Sequence, residues 1–174
     1  WFGWFGFNAG SAIAAGTTAA TVWVNTMVAT AAASLSWLIT ERIRDGHATS
    51  LGAASGVVAG LVAITPSCSS VSPVGAIIVG ILAGVICALA VGLKYKLGFD
   101  DSLDVVGVHL FGGLWGTLAV GFLATEAAPA GVNGLFYGGG FDQLWRQAVG
   151  AFSVLAYSLI MSLIIGFILH KTVG

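Results

Sequence analysis

The chain has 174 residues, of which 57% are hydrophobic and 7% charged, with a mean hydropathy of +0.99. A soluble domain covers its surface with about 25% charged residues, so most of this surface must meet lipid or other protein. The formal net charge of -1 supplies no basic patch to neutralise phosphates, which excludes a nucleic-acid partner.

Charged residues are absent before Glu41, between Asp45 and Lys94, between Asp104 and Glu126, and between Arg146 and Lys171. A membrane helix needs about 20 mostly apolar residues, and the runs divide into one truncated span followed by five full ones. The first covers residues 1–15. It opens on apolar Trp1 with no basic segment before it, so it reads as the interior of a hydrophobic segment and the chain as a fragment, not as a signal peptide. The second covers 17–40 and stops at the charged run Glu41 to Gly46. The third, rather short, covers 48–65 and ends at Pro66 and the serine-rich stretch Ser67–Ser72. The fourth covers 73–93, closed by Lys94 and Lys96. The fifth starts after Asp104, contains His109 and runs to Thr125. The sixth covers 143–170. The runs are too long for barrel strands and lack their alternation. The expected class is all-α, a polytopic membrane helix bundle.

Arg42, Arg44, Lys94, Lys96 and Lys171 fall on one side when six spans alternate, and only Arg146 falls on the other. Basic connections stay in the cytoplasm, which places 41–48, 94–101 and the C-terminus there and Ser11 near the outer end of the first helix. Glycines recur at four-residue spacing: Gly6 and Gly10; Gly52, Gly56 and Gly60; Gly80 and Gly84; Gly112 and Gly116. That spacing lets helix backbones approach closely. The glycine-rich connection 127–140 is expected to lie against the outer face. Cys68 and Cys87 sit in unlike settings, and no cluster offers a disulfide or a metal site.

Three histidines occur. His47 belongs to a charged connection, and His170 stands beside Lys171 at a helix end, where a cation suits the dipole. His109 stands alone, roughly 8 Å along an apolar helix from Asp104. An intramembrane imidazole is a functional-site candidate by default, the alternative being a structural hydrogen bond to a neighbouring helix; a neutral ring donates at one nitrogen and accepts at the other. Asp100, Asp101 and Asp104 are expected to cap this helix, while Glu126 and Asp142 read as solvated. Phe7 and Ser11 are four apart on one face, where an aromatic ring and a hydroxyl can hold a small cation.

Three motifs carry a resemblance. Trp4-Phe5-Gly6-Phe7-Asn8-Ala9-Gly10-Ser11-Ala12, the pair Ser50–Gly56 and Ala59–Pro66, and Asp100-Asp101-Ser102-Leu103-Asp104-Val105-Val106-Gly107-Val108-His109 resemble the sixth, eighth and tenth transmembrane helices of the Amt/Mep/Rh ammonium transporter family. The resemblance covers nearly the whole chain in order, from within helix six to the end of helix eleven. It implies that residues 1–174 are a partial ammonium transporter domain without its N-terminal half. They would form the second inverted repeat of the fold plus the last helix, within a homotrimer in the cell membrane that has one pore per subunit. His109 matches the second-half member of a pore-lining histidine pair, Phe7 an aromatic residue of the external gate, Ser11 a serine that binds ammonium outside it, and Asp104 a structural acid. Val106 stands where the family commonly has Phe, and Leu110 where it has Gly, a difference in packing beside the pore. The implied partners are ammonium or ammonia, the lipid bilayer and a P-II type regulatory protein on the cytoplasmic face. No cofactor is implied.

The mechanism that follows attracts NH₄⁺ to aromatic faces and Ser11, removes its proton near the gate, and passes neutral NH₃ along His109, because a bare cation in an apolar pore is very costly. Other classes fit less well. An enzyme would need a nucleophile or metal cluster converging on His109, and a haem carrier would want paired deep histidines. Within the family, the alternative is an ammonium sensor with little flux.

Overall fold

A computed structural model describes all residues, Trp1–Gly174, as an all-helical chain. Helix α1 spans Phe2–Asn8, α2 Thr17–Asp45, α3 Ser50–Ile64, α4 Pro73–Ala90, α5 Leu93–Leu97, α6 Phe111–Leu123 and α7 Asp142–Thr172. Six segments appear where the charge-free runs place them. The first is a short helix and a 3₁₀ turn, Gly10–Ala12, broken at Ile13 with φ +54°. Local chemistry sets the ends. Thr49 caps α3 by accepting the Gly52 N–H at 2.8 Å, and Ser72 caps α4 through Gly75, with Pro73 in the first turn. Gly46 and Gly98 close α2 and α5 at φ +82° and +71°, a conformation glycine adopts without penalty.

Four segments are long and apolar enough to cross a membrane: Thr17–Asp45, Pro73–Leu97, Val105–Leu123 and Asp142–Thr172. The third expected span is shorter than a crossing, since its 15 residues rise about 22 Å. The turn 65–72 makes up the depth. Ser67 and Val71 in it are fully buried, the condition under which non-helical backbone is tolerated at membrane depth. Asn25 of α2 holds it, donating from Nδ2 to the Cys68 and Val71 carbonyls at 2.9 and 2.8 Å.

The core is built of small residues. Ala29, Ala33, Ala59, Ala63, Ala76, Ala83 and Ala119 are completely buried. Glycine seams run between the helices as their spacing predicts. A Cβ on Gly60 would lie 2.7 Å from both Ala33 Cβ and Thr30 Cα, one on Gly56 2.8 Å from Ser34 Cα, and ones on Gly80 and Gly116 would overlap the backbone carbonyls of Ala29 and Ala63. Gly6 and Gly10 differ: a Cβ on either would touch nothing, and both line a cavity shared with Ala19, Ala20 and Trp23 of α2. The 127–140 connection docks on the turn 65–72, with Ala130 and, just before it, Thr125 donating to the Ser69 and Ser70 carbonyls. Helix α7 packs chiefly along α6 and has no buried residue.

Candidate functional site

The geometry of α1 starts from its polar residues. Trp4 donates its indole N–H to Thr65 Oγ1 at 2.8 Å, and Asn8 donates from Nδ2 to Thr26 Oγ1 at 3.1 Å. Thr65 passes its own proton to the Leu61 carbonyl at 2.7 Å. These bonds tie α1 to α2 and α3 and turn Phe7 and Ser11 outward. Phe7 is 62% exposed, with its ring edge-on to Trp4 at 5.7 Å. Ser11 donates its hydroxyl proton to the Phe7 carbonyl at 2.6 Å, so the lone pairs on Oγ remain to accept an N–H. Both residues line one cavity of about 370 Å³ with Asn8, Thr18, Thr65 and Ser69. An exposed aromatic face beside an acceptor oxygen suits a small N–H cation.

His109 lines a different cavity, of about 490 Å³, formed by Leu110 beside it, Gly113, Leu114 and Thr117 of α6 and Ala151, Val154, Leu155 and Ser158 of α7. Its wall is mostly apolar, and the imidazole is exposed within it. Pro66 belongs to this cavity and Thr65 to the other, so the two cavities flank the start of one turn. Phe7 and Ser11 are therefore brought together, while His109 stands apart from them.

The acidic cluster divides its work differently from the expected joint cap. Asp101 alone caps the fifth segment, accepting the N–H groups of Val105 and Val106 at 2.8 and 2.9 Å. Asp104 lies in the left-handed region at φ +56° and accepts Lys94 at 2.7 Å. Asp100 accepts from the Ser102 hydroxyl. The reason is geometric: the left-handed residue turns its own side chain toward α5 and leaves Asp101 opposite the free amides. Asp104, Lys94 and Arg44 line one cleft, so the connections that follow α2 and α4 meet at the same end of the bundle. Asp142 sits in the first turn of α7 and pairs with Arg146 at 2.7 Å.

Sequence reasoning missed Glu41. It is buried at 9% exposure, accepts the Thr49 N–H at 3.0 Å, and its carboxylate lies where a Cβ on Gly52 would stand. The signal was present in the glycine that opens the 52–56–60 series, but an acid at the end of an apolar run reads first as solvated. The roles of Trp4 and Asn8 as anchors were also missed. Cys68 is buried in the turn at 8% exposure. The histidines, cysteines and acids form no group of three able to hold a metal ion.

A bundle of apolar helices with an imidazole in one apolar cavity and a ring-and-hydroxyl pair in another defines a polytopic membrane protein of the all-helical class. The chain belongs to the Ammonium Transporter Family, whose model matches residues 1–174. It is 68% identical over 180 aligned residues to the ammonium transporter of Mycobacterium tuberculosis strain H37Rv, covering all of this chain and 38% of that protein. The crystal structure of Saccharomyces cerevisiae Mep2 superposes with a TM-score of 0.93 at 32% identity, over 99% of this chain and 41% of that one. A structure titled Sensor Amt Protein gives 0.86 at 33% identity, over 99% and 42%. The chain thus spans about two fifths of the length of these relatives.

Proposed function

We propose that the protein to which these residues belong moves ammonium across the cell membrane. In this reading the chain is the second inverted repeat plus the last helix of the transporter domain. Phe7 and Ser11 form part of an outer recruitment site, where the ring face attracts NH₄⁺ and the Ser11 lone pairs accept one of its hydrogens. His109 lines the conduction path, giving and accepting hydrogen bonds as NH₃ passes and serving the proton relay. Asp104, paired with Lys94, is the structural acid that fixes the start of the histidine-bearing segment. The connections 41–48 and 94–101 and the C-terminus face the cytoplasm, where a P-II type protein would dock, and the assembly is a homotrimer.

The observation that carries this reading is the exposed imidazole of His109 in an otherwise apolar cavity, because an intramembrane ionisable group is expensive unless it is used. The test is methylammonium uptake by the full-length protein in a cell lacking its own ammonium transporters. Uptake is expected for the wild type and its loss, or loss of selectivity over potassium, for His109→Ala. Wild-type uptake and selectivity in that variant would return His109 to a structural role. The match to the sensor structure supports a second reading, in which ammonium binding signals with little flux. Saturable ammonium binding without uptake by the purified protein would select it.

A further inference from the structure

We propose that the wide helical turn at Val105–Leu110 is a positioning device for His109, set by Gly107 and Asp101. The inference rests on the reading of His109 as a residue that meets the substrate.

The argument starts from spacing. On the fifth segment, small residues face neighbouring helices at Gly116, against the Ala63 backbone, and at Gly112, where an added Cβ would lie 3.4 Å from Cys87 Sγ and Val62 Cγ1. The next such contact toward the N-terminus is five residues away, not four. A Cβ on Gly107 would lie 2.9 Å from Val91 Cα and 3.0 Å from its nitrogen. In a regular α-helix a five-residue step leaves the seam by about 140°. A turn closed by i→i+5 bonds absorbs the extra residue, and residues 105–110 form that turn, with the Phe111 N–H donating to the Val106 carbonyl. The contact of Gly107 with Val91 and the π-helical geometry are therefore one feature.

His109 lies inside the wide turn. The extra residue rotates it off the seam that packs on α3 and α4, and its ring opens onto the cavity between α6 and α7. The turn is held at its N-terminal end. Asp101 grips its first two amides, and Lys94 binds both the Asp101 carbonyl and the Asp104 carboxylate. Beside His109, the Cys87 thiol donates to the Val108 carbonyl at 3.7 Å. A π-helical turn inside a helix recurs at functional sites; here it aims one side chain.

The experiment compares Gly107→Ala, Asp101→Ala and His109→Ala in the full-length protein reconstituted in liposomes, reading the ammonium-to-potassium selectivity ratio and the pH profile of transport. A purely structural fault lowers the rate at every pH and leaves the ratio alone. Gly107→Ala is expected to change the ratio about tenfold, since small misplacements of a reacting group have effects of that order. Asp101→Ala, at a partly exposed position whose loss does not threaten the core, is expected to change the ratio in the same direction. Asp101→Asn, which keeps one acceptor oxygen, should restore part of the wild-type ratio. If Gly107→Ala fails to assemble, the two Asp101 variants decide. A wild-type ratio and pH profile in Asp101→Ala, and in Gly107→Ala where it assembles, overturn the inference while His109→Ala still alters selectivity. An unaltered His109→Ala would instead overturn the reading of His109 itself.

Discussion

Asn25 tests the claim that the short third helix is completed by a side-chain-held turn. Its Nδ2 bonds to two carbonyls, Cys68 at 2.9 Å and Val71 at 2.8 Å, and Val71 is fully buried. Asn25→Ala leaves both acceptors without that donor. An unmade bond to a buried group costs about 1–3 kcal/mol, while polar contacts between helices in membrane proteins average about 0.6 kcal/mol. Asn25 Oδ1 is itself buried without a partner, so deleting the amide recovers part of the loss. The expected net destabilisation is about 2 kcal/mol. Asn25→Asp should do worse than Ala, because it sets a carboxyl oxygen against carbonyl oxygens where a donor stood. Unfolding of the detergent-solubilised full-length protein by SDS titration measures both. Asn25→Ala within about 0.5 kcal/mol of wild type, or Asn25→Asp no less stable than Asn25→Ala, would refute the tether.

Trp4→Phe removes the indole donor to Thr65 but keeps an aromatic ring. It should weaken the hold on α1 by about 1 kcal/mol and raise the half-saturation concentration for methylammonium, with less effect on maximal uptake; an unchanged half-saturation would show that the bond does not position Phe7 and Ser11. In the full-length protein with its other cysteines removed, Cys68 should react with a maleimide far more slowly at neutral pH than a cysteine placed at exposed Ser102. Its burial in the turn keeps the reagent from the sulfur. Equal rates at neutral pH would mean that the turn 65–72 is open to water.

The helix plan was legible because lipid imposes a simple code. Charge-free runs and the polar connections between them located six segments within a few residues. The four-residue glycine series also foretold the seams at Gly56, Gly60, Gly80 and Gly116, since only the absence of a side chain admits a carbonyl so close. What stayed hidden depended on which groups meet across distant segments. Glu41 has the local signature of a solvated acid, and only the fold brings Thr49 and Gly52 to it. Trp4 looks like an interfacial aromatic until Thr65 is placed opposite its N–H. The division of labour between Asp101 and Asp104 turns on one left-handed residue, which no spacing rule encodes for an aspartate. His109 and its cavity lie between the two cases: the sequence singles out the residue, whereas its orientation requires the wide turn.

The glycine seams also have a mechanical meaning. Where Gly60 meets α2, Gly80 meets Ala29 and Gly116 meets Ala63, the helices touch through backbone, and backbone has no rotamers with which to yield. Sliding one helix along another by less than a full turn would drive the next Cβ into a carbonyl. Helices α2, α3, α4 and α6 are thus geared together as a rigid frame. Two helices lie outside those gears: α1, held to the frame by the side-chain hydrogen bonds of Trp4 and Asn8, and α7, which packs along α6. Both of the cavities described above have one wall on the frame and one on a helix outside it.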